Sequence, residues 1–142
     1  MGRGVTTTRY LLDTNAASAI LRQRAPVCAR AASVPLSSLA ISSVTAGELH
    51  YGVAKRPQAT ALAKLVREFL RYTDILPWTD AIAPHYGTLR ATLEGAGRMG
   101  DITTAPLDLM IAAHALAVDA TLVSADQALL QIDILKIEDW SA

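Results

Sequence analysis

Short apolar runs alternate with longer amphipathic stretches along most of this chain. Residues 9–12 form an apolar run that ends at the turn-forming cluster Asp13-Thr14-Asn15, and 16–22 then reads as helix. This is the pattern of a buried strand feeding a helix. A second short helix is expected over 25–33, with Pro26 in its first turn. Residues 39–42 read as a second strand and 44–54 as the helix after it. Over 57–71, Leu62, Leu65, Val66, Phe69 and Leu70 lie on one helical stripe with charges opposite. Residues 75–78 read as a strand end, and Thr79 is expected to cap a helix reaching 94. Gly95, Gly97 and Gly100 then open a loop to Ala105, and Pro106 suits the first turn of a helix over 107–118. The remainder reads as a strand at 121–124, a helical turn at 127–130 and a last strand at 134–137. Strands alternating with helices predict an α/β fold: a single domain over 1–142, with a central, mostly parallel sheet flanked by helices. Residues 1–8 are expected to be a flexible polar N-terminus.

Composition narrows the class. The chain is 51% hydrophobic and 18% charged, with a mean hydropathy of +0.28. Charged residues usually make up about 25% of a soluble domain, so part of this surface is expected to lie against a second subunit or a partner. No apolar run reaches the roughly 18 residues of a membrane span, and the Thr-rich start has no hydrophobic stretch of a signal peptide. Cys28 is the only cysteine, which excludes an internal disulfide and suits a reducing, cytoplasmic setting. The net charge is zero, unlike a protein that binds nucleic acid through a broad basic surface. Arg22, Arg24, Lys55, Arg56, Arg67, Arg71, Arg90 and Arg98 are read, for most of them, as solvated helix faces.

Against this sparse charge, four isolated carboxylates stand at the mouths of predicted elements. They are Asp13 in Tyr-Leu-Leu-Asp-Thr-Asn, Glu48 in Thr-Ala-Gly-Glu-Leu, Asp108 in Pro-Leu-Asp-Leu-Met, and Asp126 in Thr-Leu-Val-Ser-Ala-Asp. Each has an ordinary explanation. Asp13 and Asp126 can cap helices, as Thr14 and Asn15 also can. Asp108 suits the first turn of its helix, and Glu48 is a common residue on a helix surface. Taken together they suggest more. Asp13 and Asp126 follow strands where a parallel sheet opens its ligand crevice. Ala112 and Ala115 on the face of Asp108 allow that helix to approach a neighbour closely. Four carboxylates in one pocket would raise each other's pKa unless a cation offset them. Such oxygen donors suit hard divalent metals such as Mg²⁺ or Mn²⁺.

Other chemistries find little support. His50, His85 and His114 have no zinc-type spacing with each other or with Cys28. His114 falls on the apolar line of its helix and reads as a packed residue. No nucleophile elbow, phosphate-binding loop or dinucleotide fingerprint is present.

At these residues the chain resembles the PIN-domain ribonucleases of the VapC-type toxin branch of toxin–antitoxin pairs. The matching segments stand in the family's order: Leu-Leu-Asp-Thr-Asn at 11–15, Ile-Ser-Ser-Val-Thr-Ala-Gly-Glu-Leu-His-Tyr-Gly at 41–52, and Tyr-Gly-Thr-Leu-Arg-Ala-Thr-Leu-Glu at 86–94. They continue with Leu-Asp-Leu-Met-Ile-Ala-Ala-His-Ala-Leu at 107–116, Thr-Leu-Val-Ser at 121–124 and Ile-Glu-Asp-Trp at 137–140. The resemblance implies that Asp13, Glu48, Asp108 and Asp126 bind one or two Mg²⁺ or Mn²⁺ ions and hydrolyse RNA phosphodiester bonds. Asp13, Asp108 and Asp126 would be direct or water-bridged ligands. Glu48 would be an outer ligand or would position the attacking water. Asn15, the hydroxyl of Ser124 and Thr14 would support them. The resemblance further implies a homodimer and a small antitoxin covering the acidic groove. Two departures stand out: Ala125 replaces the Asn usual before the fourth acid, and the loop 99–105 is longer than usual. They leave a second reading, a catalytically weak PIN-fold module that binds RNA or antitoxin. A haloacid-dehalogenase-type phosphatase, faintly similar at Leu-Leu-Asp-Thr-Asn, would need Asp in place of Asn15 and a lysine at a later strand end. Neither is present convincingly.

Overall fold

A computed structural model describes residues 8–95 and 105–141. Five parallel strands form one sheet: β1 (Tyr10–Leu12), β2 (Leu39–Ser42), β3 (Asp74–Leu76), β4 (Thr121–Val123) and β5 (Ile137–Glu138), in the order β3-β2-β1-β4-β5. The chain therefore builds outward from β1 on one side through β2 and β3. It then returns to the other side of β1 for β4 and β5. The sheet reverses direction of growth between β1 and β4, and a doubly wound sheet opens its crevice at that point, beyond the carboxyl ends of the strands. Leu12 pairs with Val123 across the reversal, and Asp13 N–H donates to the Val123 carbonyl at 3.1 Å.

Helices cover both faces. They are α1 (Thr14–Leu21), α2 (Ala25–Ala32), α3 (Ser43–Ala54), α4 (Thr60–Tyr72), α5 (Ala83–Gly95), α6 (Pro106–Ala117) and the single turn α7 (Gln127–Leu130). Successive strand residues point to opposite faces, so two cores form. Leu11, Ala40 and Leu122 pack with Leu89 and Leu93 of α5 and with Leu109 and Ile111 of α6. Leu12, Ile41 and Val123 pack with helices α1 to α4 and with Trp140. Burial on both faces explains why the central strands β1, β2 and β4 read as continuous apolar runs instead of alternating ones.

The expected architecture is observed, and the sheet is wholly parallel. Several boundaries differ. Helix α1 begins at Thr14, two residues before the expected start, because Asp13 is itself the cap. Helix α4 begins at Thr60, since Pro57 and Gln58 are used in a turn. Thr79 opens a turn, its carbonyl accepting from Ile82 N–H, and α5 starts only at Ala83. The last strand is Ile137–Glu138; Leu135 N–H is taken by the Ile132 carbonyl in a turn, so 134–135 stay out of the ladder, while the Lys136 carbonyl accepts from Leu122 N–H at 2.8 Å just before the strand. The N-terminus through residue 7 and most of the Gly-rich loop, including 99–104, lie outside the described residues.

Candidate active site

Chain direction brings the acids to one edge. Asp13 and Asp126 follow β1 and β4 and sit at their carboxyl ends. Helix α6 leads into β4 and so begins at that same edge, which puts Asp108 in its first turn beside them. Helix α3 departs from the end of β2, next to β1, and carries Glu48 along its middle. Asp108 lies within electrostatic reach of the other three carboxylates, and Asp13 within reach of Asp126 and Glu48. The Asp108 carboxyl is pushed up to about 6, first by burial and then by the negative charges of Asp13, Asp126 and Glu48. Asp13 is 7% exposed. Burial raises its pKa most; the Ala16 N–H and the Ser124 hydroxyl hold it down, and Asp126 and Glu48 push it up again.

Each acid is also fixed locally. Oδ1 of Asp13 accepts from Ala16 N–H at 2.8 Å, capping α1. Oδ1 of Asp126 accepts from Ala128 and Leu129 N–H at 2.9 and 3.2 Å, capping α7. The capping explanation for these two is therefore true, and it coexists with convergence: one carboxylate oxygen serves the helix while the group still acts electrically on its neighbours. Oε1 of Glu48 accepts from the Thr14 hydroxyl at 2.6 Å. Ser124 is buried, and its Oγ accepts from Asp126 N–H at 3.1 Å. Asn15 is exposed on α1 and lines a cavity of about 70 Å³ with Asp13, Ser124, Ala125 and Asp139.

Among the described residues, no three His, Cys, Asp or Glu side chains already stand as a close metal-ligand set. The donor chemistry nevertheless fits a hard divalent cation: every group is a carboxylate oxygen, and their mutual repulsion is the kind a cation offsets. His114 lies apart from this chemistry. It is 1% exposed, burial depresses its pKa, and its Nδ1 stands 2.8 Å from Ser42 Oγ.

Two features of the site are not marked by sequence spacing alone. Asp139 shares the small cavity with Asp13, and its carboxyl is held below the usual range by the Ser141 hydroxyl and N–H. Arg22, Lys55 and Arg56 share a hollow with Thr14 and Glu48. Lys55 follows Glu48 by two turns on one face of α3, whereas Arg22 has no sequence relation to that acid and is brought to it by the packing of α1 against α3.

A crevice at the reversal point of a parallel sheet, with four carboxylates around it, defines a class of acid-centred α/β sites. The chain belongs to the PIN-domain family, whose model matches residues 10–135. Over 134 residues it is 29% identical to the tRNA(fMet)-specific endonuclease VapC of Shigella flexneri, covering 94% of this chain and 98% of that protein. It is 33% identical over 105 residues to ribonuclease VapC2 of Rickettsia felis, covering 73% of this chain and 75% of that protein. The crystal structure of VapBC2 from Rickettsia felis bound to a DNA fragment from its promoter superimposes with a TM-score of 0.81 at 29% identity, covering 94% of this chain and 99% of that one. Within the family, the chain falls with these VapC-type proteins.

Proposed function

We propose that this chain is a Mg²⁺- or Mn²⁺-dependent endoribonuclease acting as the toxin of a toxin–antitoxin pair. The observation that carries the reading is the Asp108 carboxyl at about 6 under the charges of Asp13, Asp126 and Glu48. Its burial and its three acidic neighbours are a standing electrostatic cost that a bound cation would remove. The relatives named as ribonucleases and as a tRNA(fMet)-specific endonuclease support RNA as substrate. The VapBC complexes among similar structures support an antitoxin partner, and the high apolar content is in keeping with a homodimer.

In this reading Asp13, Asp108 and Asp126 hold the metal, with Glu48 as an outer ligand or the group that orients the attacking water. When bound, the ion supplies charge for the scissile phosphate and lowers the pKa of a bound water. The protein's own residues do the positioning. Asp13 and Asp126 are each held through Oδ1 by helix-terminal N–H groups, which restrains their carboxylates. Thr14 restrains Glu48, and Ser124 ties the Asp126 backbone to the end of β4 while also reaching Asp13.

The test is cleavage of an initiator tRNA transcript by purified protein with Mg²⁺ or Mn²⁺, alongside Asp13→Asn. The expected result is metal-dependent cleavage, reduced in the variant by more than about a hundredfold. Equal cleavage by both proteins would refute the site. RNA binding without cleavage under any divalent metal would establish the binding-module reading instead.

A further inference from the structure

The acidic centre is flanked by two hollows that meet at one arginine. The first, about 370 Å³, has Thr14 and Glu48 at its acidic end and Arg22, Lys55 and Arg56 elsewhere along it. The second, about 460 Å³, contains Asn15 together with Arg22, Arg24 and Ser141. Ser18 and Arg22 line both, so the outer side of α1 runs between them. Glu48 is the one acid in either lining among the described residues. Arg22, Arg24, Lys55 and Arg56 are all exposed.

The described cations divide into those with a carboxylate partner and those without. Arg9, Arg30, Arg90 and Lys136 each pair with a carboxylate, on Asp74, Glu138, Glu94 and Asp119 respectively. Among the described residues, none of the four cations in the hollows has a carboxylate within ion-pair distance; Lys64, Arg67 and Arg71 of α4 have none either, but they line neither hollow. Lys55 instead stands 5.0 Å from the ring centre of Tyr51. In a chain of zero net charge, unneutralised cations are gathered along a track that ends at the candidate catalytic acids.

We propose that these hollows hold the phosphate backbone of single-stranded RNA, with Arg22 as the central contact, and lead it to the carboxylates. This rests on the ribonuclease reading. Guanidinium groups match phosphate oxygens bidentately. Cations placed beside an acidic centre also offset its repulsion of a polyanion. The apolar floor of the first hollow, Leu49, Leu62 and Val66 among it, offers the bases a surface without hydrogen-bond selectivity. Affinity along this track should therefore be salt-dependent and weakly selective for sequence.

The experiment measures the dissociation constant of a fluorescein-labelled single-stranded oligoribonucleotide over a range of NaCl concentrations, without divalent metal. The proteins are wild type, Arg22→Gln, Arg56→Gln, Arg22→Lys and, as a control on α4 outside both linings, Arg67→Gln. For every phosphate no longer neutralised, the slope of log affinity against log salt should fall by about 0.7. Arg22→Gln and Arg56→Gln should show that decrease and bind more weakly. Arg22→Lys should retain the slope, and Arg67→Gln should match wild type. Circular dichroism of each variant separates weakened RNA binding from unfolding. If Arg22→Gln and Arg56→Gln keep the wild-type slope while wild type still cleaves RNA with metal, the track is overturned and the ribonuclease reading stands. If wild type neither binds nor cleaves RNA, both fall. If the variants lose binding to a poly-glutamate peptide but not to RNA, the surface serves an acidic protein partner and the proposal is wrong.

Discussion

The hydroxyl of Thr14 donates to Oε1 of Glu48 at 2.6 Å, joining the first turn of α1 to the middle of α3. The two residues are 34 apart in sequence, and Thr14 directly follows Asp13. A displacement of α3 is therefore transmitted to the residue beside a candidate metal ligand. Thr14→Val keeps the branched shape and removes the donor. Freed from Thr14, Glu48 loses its orientation, so RNA cleavage should fall about tenfold, chiefly in kcat. Stability should change by no more than about 1 kcal/mol, since Thr14 is only half-buried. A loss expressed only in KM would remove the orienting role from Thr14.

The raised Asp108 carboxyl predicts a pH dependence that metal reverses. Its pKa is about 6 in the folded chain against an ordinary 3.8. The protonated form is thus favoured by folding: its contribution to stability is full below about 3.8 and is lost as pH rises through about 6. In metal-free protein, Asp108→Asn should be the more stable of the pair at pH 7.5, and the gap should be clearly narrower at pH 5, on its way to closing near 3.8. Because Asp108 is only partly buried, solvent screening reduces the expected gain to about 1 kcal/mol, or roughly 3 °C in Tm. Adding Mn²⁺ should stabilise wild type and not the variant. Thermal melts at both pH values, with and without metal, measure this; a wild type more stable than the variant in metal-free buffer at pH 7.5 would contradict it.

His114 and Ser42 predict the opposite sign in a neighbouring pH range. Burial lowers the His114 pKa, so folding favours the neutral ring. Its contribution is present above the ordinary value of 6.5 and is lost as pH falls through the lower folded value. The stability advantage of wild type over His114→Gln should therefore shrink between pH 7 and pH 5. Ser42 also accepts from Val44 N–H as the cap of α3. Ser42→Ala removes that cap and leaves the buried His114 Nδ1 without its partner, which should cost about 2 kcal/mol in urea unfolding. A cost under about 0.5 kcal/mol would mean water replaces the serine there.

Ala125 stands where relatives of this type are expected to carry Asn. It is exposed, while the Asp126 carboxylate is already held by two helix N–H groups and its backbone by Ser124. Ala125→Asn should then leave the rate of RNA cleavage within about twofold. A gain of tenfold or more would show that this support is incomplete.

How much of the fold and the site is legible in the sequence varies from residue to residue. The central strands β1, β2 and β4 are legible because burial on both faces makes them apolar runs, and Asp13 and Asp126 because they follow such runs. The shift of β5 to Ile137–Glu138 is not legible: Ile134 and Leu135 have strand-like composition, and only the turn closed by Ile132 and Leu135 removes them from the ladder. Likewise, nothing local distinguishes Thr79 opening a turn from Thr79 capping a helix. The carboxylates Asp108 and Glu48 are reached through the family pattern, since their convergence depends on helix direction and packing. The basic track as a whole has no sequence signal, because Arg22 belongs to one helix end and Arg56 to another turn.

Asp13 and Asp126 each hold a helix by one oxygen while facing the other acids. Asparagine caps a helix as well as aspartate does, whereas alanine costs about 1 kcal/mol. Codons for the two residues differ by a single base, so one mutational step at either position can silence the chain and leave it folded. A population under pressure to escape this activity has that route open at two places. Under the proposed toxin reading, a chain silenced in this way would keep its folded surface for an antitoxin, so loss of chemistry here need not mean loss of effect.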